Sequence, residues 1–379
     1  MAPPLPTRLT ALDLFRGVTV AGMIIVNSPG DDSHIWWPLD HAPWNGFTPT
    51  DLVFPAFLCA VGVALALSFP RTVDAAMWRR VARRTISLIA LGWAWQFLVR
   101  PDLPHFRLMG VLPRIGLCYG IVASFVMLTA RRDPGGRARL DPVLLAVAAL
   151  AILIVYAALM LLVPVPGHGA GDLTPDGNLA GYVDRVVLTI PHMWRHGTGA
   201  AGTVVYDPEG LLSTLPALAN VLLGMLAAIA WQRAPQRAVA WIALGGVALT
   251  LVGWGLDPLF PINKRLWTSS YALLSTGLAA LLFALAMIVA DRKGPHRWLA
   301  PFRLLGMNAI LGYMISLLLP LAGNRLQIGD SSLSDMALAG MRAFAPDPYL
   351  ASFLCSLAVL AATIGLLVPL HRRGIHLRL

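Results

Sequence analysis

The chain has 379 residues, of which 57% are hydrophobic and only 13% charged, against about 25% charged in an ordinary soluble domain. So few ionisable groups cannot cover a water-soluble globule of this length, and the composition leaves a polytopic membrane protein. The formal net charge of +10 does not indicate a nucleic-acid partner, because the basic residues stand in short clusters between long apolar runs, where topology accounts for them. Cys59, Cys118 and Cys355 each lie inside an apolar run with no Cys/His spacing, so neither a disulfide framework nor a metal site is indicated.

A membrane-crossing helix needs about 20 mostly apolar residues. Cutting the chain where such runs meet polar or Pro/Gly-rich breaks predicts an all-α membrane protein, a single domain over 1–379 with about ten, or eleven, transmembrane helices. The segments fall near 11–28, 51–69, 85–99, 108–130, 143–164, 211–231, 238–256, 266–290, 304–323 and 349–370. Residues 143–165, 266–290 and 349–370 carry no charge at all. The first apolar run contains Asp13 and Arg16 and no small-residue cleavage pattern follows it, so it is expected to remain as a helix.

Basic loops stay in the cytoplasm. Of the 29 Lys and Arg residues, 20 fall in one alternating set of loops, Arg8, Arg71, Arg137, Lys293 and Arg378 among them, and eight in the other, with Arg114 inside a segment. Both termini are therefore predicted to be cytoplasmic, and the outer loops become 29–50, 165–210 and 322–348. No internal repeat is visible, since His41-Ala42-Pro43-Trp44-Asn45-Gly46 occurs once. Transporter folds usually show paired halves.

Polar residues inside or beside the apolar segments are the informative ones. Arg16 and Asn27 are 11 positions apart, which places them within about 20° of one helix face and about 16 Å apart along it. Such a pair suits an elongated ligand with an anionic head and a reactive tip. Equally, Arg16 reaches lipid headgroups or pairs with Asp13, and Asn27 closes the helix before Pro29-Gly30. Of the nine histidines, five lie in outer loops, and His296 and His376 flank cytoplasmic helix ends. His41 stands apart because Trp36, Trp37, Trp44 and Asn45 surround it in a stretch too aromatic for a solvated loop.

Leu12-Asp13-Leu14-Phe15-Arg16-Gly17, Val26-Asn27, His41-Ala42-Pro43-Trp44-Asn45-Gly46 and Asp51-Leu52-Val53-Phe54-Pro55 closely resemble the N-terminal signature of the heparan-α-glucosaminide N-acetyltransferase family. The likeness recurs in Gly110-Val111-Leu112-Pro113-Arg114-Ile115-Gly116, where Pro113 replaces the family's usual glutamine. Tyr206-Asp207-Pro208-Glu209-Gly210, the stretch from Pro261 through Asn263, Lys264 and Arg265 to Tyr271, and Gly306-Met307-Asn308-Ala309 complete the series in order. Nearly the whole chain is covered.

The resemblance implies transfer of an acetyl group from cytosolic acetyl-CoA, a co-substrate, to the amino group of a glucosamine-type amino sugar on the far side of the membrane. The family's active histidine falls on His41 and its neighbouring asparagine on Asn27. A neutral imidazole suits removal of the amine proton, and an amide N–H suits the oxyanion. Direct transfer in a ternary complex, with His41 as general base, is favoured over transfer through an acetyl-histidine, because the shared face of Arg16 and Asn27 lets the thioester reach the outer rim without a carrier. Arg16, Arg83, Arg84 and Arg303 are candidates for the coenzyme phosphates and Arg114 for a deeper part of the cofactor path, although topology alone also explains the loop arginines. On the acceptor side stand Trp44 and Asn45, with Asp207 and Glu209 either holding the sugar or stabilising a turn. Asp51 reads first as an N-cap or ion-pair partner and second as a helper at the site. Asn263 and Lys264 either support a loop or line the site. The competing function is a transporter or flippase for a sugar or lipid-linked intermediate, with Arg114 on its path. The short N-terminus leads to the expectation of a free or short amino sugar as acceptor. A homodimer among the lipids of a bacterial cytoplasmic membrane is the expected assembly.

Overall fold

A computed structural model describes residues 9–70, 72–132, 138–292 and 297–374. Arg8, Arg71, Arg137, Lys293 and Arg378, counted above with the cytoplasmic loops, and His296 and His376 lie outside the described residues. The described chain is helical almost throughout. In order come α1 (Thr10–Asn27), α2 (Val53–Leu67), α3 (Ala75–Val99), α4 (Val111–Thr129), α5 (Pro142–Leu162), α6 (Leu179–Val187), α7 (Thr214–Arg233), α8 (Pro235–Gly255), α9 (Ser269–Met287), α10 (Ala300–Met307), α11 (Ala309–Arg325), α12 (Leu333–Phe344) and α13 (Pro348–Arg372). Two antiparallel hairpins of two-residue strands interrupt them, β1 (Arg131–Arg132) with β2 (Ala138–Arg139), and β3 (Gln327–Ile328) with β4 (Ser331–Ser332). Short polar side chains start the helices by accepting from exposed backbone N–H groups. Asp74 accepts from Met77 N at 2.8 Å, Asn178 from Gly181 N at 2.6 Å and Asp347 from Leu350 N at 2.8 Å.

Eight helices among the described residues are long and apolar enough to cross a membrane: α1, α2 with its preceding turn, α4, α5, α7, α8, α9 and α13. The pair α10 and α11 makes a ninth if counted as one broken span. The expected straight segment 304–323 is in fact bent by 88°. Asn308 sits at the bend, and its side-chain amide donates to Leu304 O at 3.0 Å, taking up a carbonyl near the helix end. The expected segment 85–99 is the second half of the 25-residue α3, whose first half carries Arg79, Arg80, Arg83 and Arg84.

The outward faces are apolar. On α8, Ala238, Ile242, Gly246 and Gly253 form the buried stripe, while Trp241, Leu244, Val247, Leu251 and Trp254 are exposed. The two tryptophans are separated by about 20 Å at 1.5 Å per residue, the arrangement of rings at the two borders of a hydrocarbon layer. Water would penalise such a surface and lipid does not. This is the architecture of a helical integral membrane protein.

The chain divides into two compact units, the described residues of 1–42, 48–57 and 281–378, and residues 43–47 and 58–280. In the first, α1 packs mainly on α10 and also on α11 and α13. A Cβ on Gly17 would lie 1.7 Å from Phe302 O, and one on Gly306 would lie 1.7 Å from Asp13 O. Without a hydrophobic drive between helices in lipid, small residues that let backbones touch supply the packing. The C-terminal end of α1 is tied to α13, where Ser356 Oγ donates to Ser28 O and Ser352 Oγ to Asp31 O, both at 3.0 Å. In the second unit α7 is buried on nearly all sides, with α4, α5 and α8 against it.

Gly306→Val should destabilise the protein by at least about 1–3 kcal/mol, the usual cost of overpacking, seen as a lower melting temperature in detergent. An unchanged melting temperature would contradict the close approach of α1 and α10.

Candidate active site

In the first unit the loop after α1 returns through a short turn at Trp37–Leu39 and a second at Pro49–Leu52. Thr48 and Asp51 form a capping box at the second turn. Asp51 is 1% exposed, and its Oδ1 lies 2.7 Å from His41 Nδ1. Its Oδ2 accepts from Thr48 N (3.0 Å), Thr48 Oγ1 (3.1 Å) and Ala42 N (3.3 Å). An ionised carboxylate only accepts, so in a neutral His41 the proton sits on Nδ1 and the lone pair on Nε2. The imidazole is 38% exposed, hence reachable by a substrate. A buried carboxylate that orients a reachable imidazole is the usual support for a proton-transferring histidine. Asn27 is the exposed last residue of α1, and Arg16 lies half-buried on the same helix. Arg303, also half-buried, stands on α10, and its Nε is buried without a hydrogen bond among the described residues.

The second unit holds a buried charge network. Arg107 donates from Nε to Asp207 Oδ2 (2.9 Å), and from Nη2 to Asp207 Oδ1 (2.6 Å) and Glu209 Oε2 (2.5 Å). Trp194 N and Glu209 N also donate to Asp207, each at 2.9 Å. Arg114, fully buried, donates from Nη2 to Gly210 O at 3.0 Å and to Ser213 Oγ. Its guanidinium lies 4.9 Å from the centre of the Trp267 ring. Its Nε and Nη1 make no hydrogen bond among the described residues. Trp267 is itself held at φ 54°, a conformation unusual for a bulky residue, and donates to Asn220 Oδ1 at 2.8 Å.

These carboxylates differ in electrostatics. Burial acts to raise the Glu209 carboxyl, but Arg107, Arg114 and Lys264 outweigh it and hold the group below the usual carboxylate range. Asp184, also buried, accepts from Leu211 N at 2.8 Å through Oδ1, while its Oδ2 has no partner among the described residues. Burial pushes its carboxyl up to about 7, with Asp207 adding to the shift and the Leu211 N–H opposing it.

Residues 8–166 match the family described as heparan-alpha-glucosaminide N-acetyltransferase, catalytic. Over 360 residues the chain is 31% identical to the heparan-alpha-glucosaminide N-acetyltransferase of Homo sapiens, which spans 82% of this chain and 53% of that protein. It is 29% identical over 357 residues to the protein of the same name from Mus musculus, 81% of this chain and 53% of that protein. The chain is thus similar to this family over most of its length. It spans about half the length of the curated relatives it matches.

Several residues predicted for the site have definite partners. His41 and Asp51 are brought together, with Asp51 acting both in the capping box and as partner of the imidazole. Asp207 and Glu209 meet through Arg107, and both oxygens of Asp207 are occupied by protein donors. Asn45 Oδ1 accepts from Asn263 Nδ2 at 3.0 Å. The Trp44 indole N–H donates to Leu173 O at 2.9 Å, and its ring meets Tyr206 edge-on at 5.0 Å. Lys264 acts on Glu209 through its charge. Arg83 is exposed, and Arg84 lies over the Tyr119 ring at 4.7 Å. Arg107 and Asp184 escaped sequence reasoning, since the partners of Arg107 lie 100 and 102 positions away.

A raised carboxyl pKa means that the native state keeps a proton that the unfolded chain, with Asp near 3.9, has lost. The contribution of this group to stability should therefore fall as pH rises from about 4 to about 7 and level off above. Asp184→Asn removes this contribution, and its melting temperature should decline less across that window than that of the parent. Parallel pH profiles would show that folding leaves the Asp184 carboxyl unshifted.

Proposed function

We propose that the chain transfers an acetyl group from acetyl-CoA, held from the cytoplasmic face, to the amino group of a glucosamine-type sugar on the opposite side of the membrane. The observation that carries this reading is the His41–Asp51 pair at 2.7 Å, inside the residues matched to the acetyltransferase family. His41 Nε2 accepts a proton from the amine nitrogen as that nitrogen attacks the thioester carbonyl carbon. The carbonyl becomes an oxyanion, then re-forms as the C–S bond breaks, and coenzyme A leaves as a thiolate that takes up a proton. Asp51 stabilises the imidazolium formed in between.

Asn27, on the outer end of α1, serves as an oxyanion donor, a role worth about 2.7–4 kcal/mol when one such bond is removed. Arg16 and Arg303, and Arg83 and Arg84 on α3, supply cationic groups for the coenzyme phosphates. Arg114 contributes the deeper polar group of the cofactor path, supported by its two N–H-bearing atoms without acceptors. Trp44, Asn45, Asn263 and Lys264 belong to the acceptor side. The excess of basic residues in one set of loops supports cytoplasmic termini, and a homodimer in a bacterial cytoplasmic membrane is the assembly that goes with this reading. Direct transfer is preferred because Arg16 and Asn27 share one face of α1 over about 16 Å, which gives an extended donor a continuous track.

Membranes containing the protein should release free thiol from acetyl-CoA only when an amino sugar is present. His41→Ala should abolish this release with membrane insertion intact, and Asp51→Asn should lower kcat by about 10²–10⁴-fold. Thiol release unchanged in His41→Ala would overturn the role of that residue. A His41-acetyl protein that acetylates glucosamine at the steady-state rate would replace direct transfer by a two-step route.

A further inference from the structure

A cavity of about 480 Å³ opens within the first unit, between the chain that follows α1 and helices α11, α12 and α13. Its volume lies in the range of about 300–1,000 Å³ typical of small-molecule sites. The lining is divided by chemistry. At the rim stand Asp32, Asn324, Ser334 and Asp335, and no lysine, arginine or histidine lines the cavity. Asp335 is committed to the α12 capping box, accepting from Ser332 N at 3.2 Å and Ser332 Oγ at 2.6 Å. Asp32 is exposed and, among the described residues, enters no hydrogen bond or ion pair through its carboxylate.

The floor is aliphatic, built from Leu319 and Met341 and from Ala358, Val359 and Ala362 of α13. Ala362 is 14 positions beyond the first residue of that helix, about 21 Å along its axis, so the cavity reaches far into a membrane-crossing segment. Ala358 and Ala362 are exposed, which opens the floor along the flank of the helix. Small residues make the room. A Cβ on Gly323 would lie 2.5 Å from Ser334 Oγ, and one on Gly30 would lie 2.7 Å from Cys355 Sγ.

We propose that this cavity binds a single-chain amphiphile with a primary ammonium head, the head at Asp32 with Asn324 and Ser334 accepting its remaining N–H groups, and the tail along α13. Two carboxylates line the rim, and the neighbouring Arg342 is taken up by Asp31 at 2.6 Å, so an anionic head is repelled without a free counter-charge, and a neutral head leaves Asp32 without one. No aromatic side chain lines the site, so the apolar face of a sugar ring finds no stacking partner there, whereas an alkyl chain gains from every methylene it buries against the floor. The flank opening lets such a molecule enter from the bilayer.

Cys355 lines the cavity, whereas Cys59 and Cys118 are only 5% and 0% exposed. Maleimide labelling of the full chain in phosphatidylcholine nanodiscs therefore reads this site without any activity assay. Dodecylamine should slow Cys355 labelling about tenfold at ten times its Kd, while dodecanol and dodecanoate at equal membrane concentration should leave it near the unliganded rate. Asp32→Asn should raise the amine concentration needed by about tenfold, the loss of one charge-assisted contact. Ala358→Phe, which fills the floor, should remove protection. Equal protection by dodecanol, undiminished protection in Asp32→Asn, or a Cys355 that resists labelling without amine would each overturn the assignment.

Discussion

The buried carboxylate of Asp51 is the point on which the loop after α1 depends. Four donors converge on it, from His41, Ala42 and, twice, Thr48. An ionised group at 1% exposure is tolerated in a protein interior only when hydrogen bonds replace its lost water. The same group that starts the second helix therefore also fixes the imidazole plane. A substitution that removes its acceptor oxygens cannot alter the chemistry of His41 without loosening the turn at Thr48. The two effects separate only in a conservative change such as the amide, which keeps acceptor oxygen but loses charge.

The second unit solves the opposite problem, how to keep cations buried. Arg107 is answered by two carboxylates in a forked arrangement that suits the planar guanidinium. Arg114 hydrogen-bonds only neutral groups, a carbonyl and a hydroxyl, and lies against the face of Trp267, although its charge also acts on Glu209. Asp184 is a third carboxylate in this buried region, and burial is the main cause of its high affinity for a proton, with the charge of Asp207 adding to it. Such networks tolerate the removal of no single member, because each leaves a buried partner without its counter-charge.

Much of the fold was legible because lipid imposes a length and a composition on every crossing helix. The charge-free runs that became α5, α9 and α13 were readable directly. Harder to read were α3, where four arginines share a helix with an apolar half, and the bend at Asn308, where composition stays apolar while the backbone turns by 88°. At the site, His41 and Asp51 stood out through a recognisable stretch of sequence, and Asp51 read as a cap or ion-pair partner. Their mutual contact did not, because ten positions of loop carry no periodicity that says which side chains face each other. Arg107 was invisible for the same reason on a larger scale, since a pairing across 100 residues is a property of tertiary structure alone.

Where a reactive group is mounted decides how accurately it can be held. Asn27, the proposed oxyanion donor, ends a helix that touches α10 through glycine-to-backbone contacts on both sides and whose C-terminal end is tied to α13 through Ser352 and Ser356. His41 stands on a loop, and the loop is held by a carboxylate in place of packing. The helix supplies a fixed position, and the carboxylate supplies a fixed orientation for the imidazole. Precision at a loop residue requires supporting hydrogen bonds, whereas at a helix terminus packing suffices. The serine ties belong to the same logic: they hold the backbone just beyond Asn27 at Ser28 and Asp31.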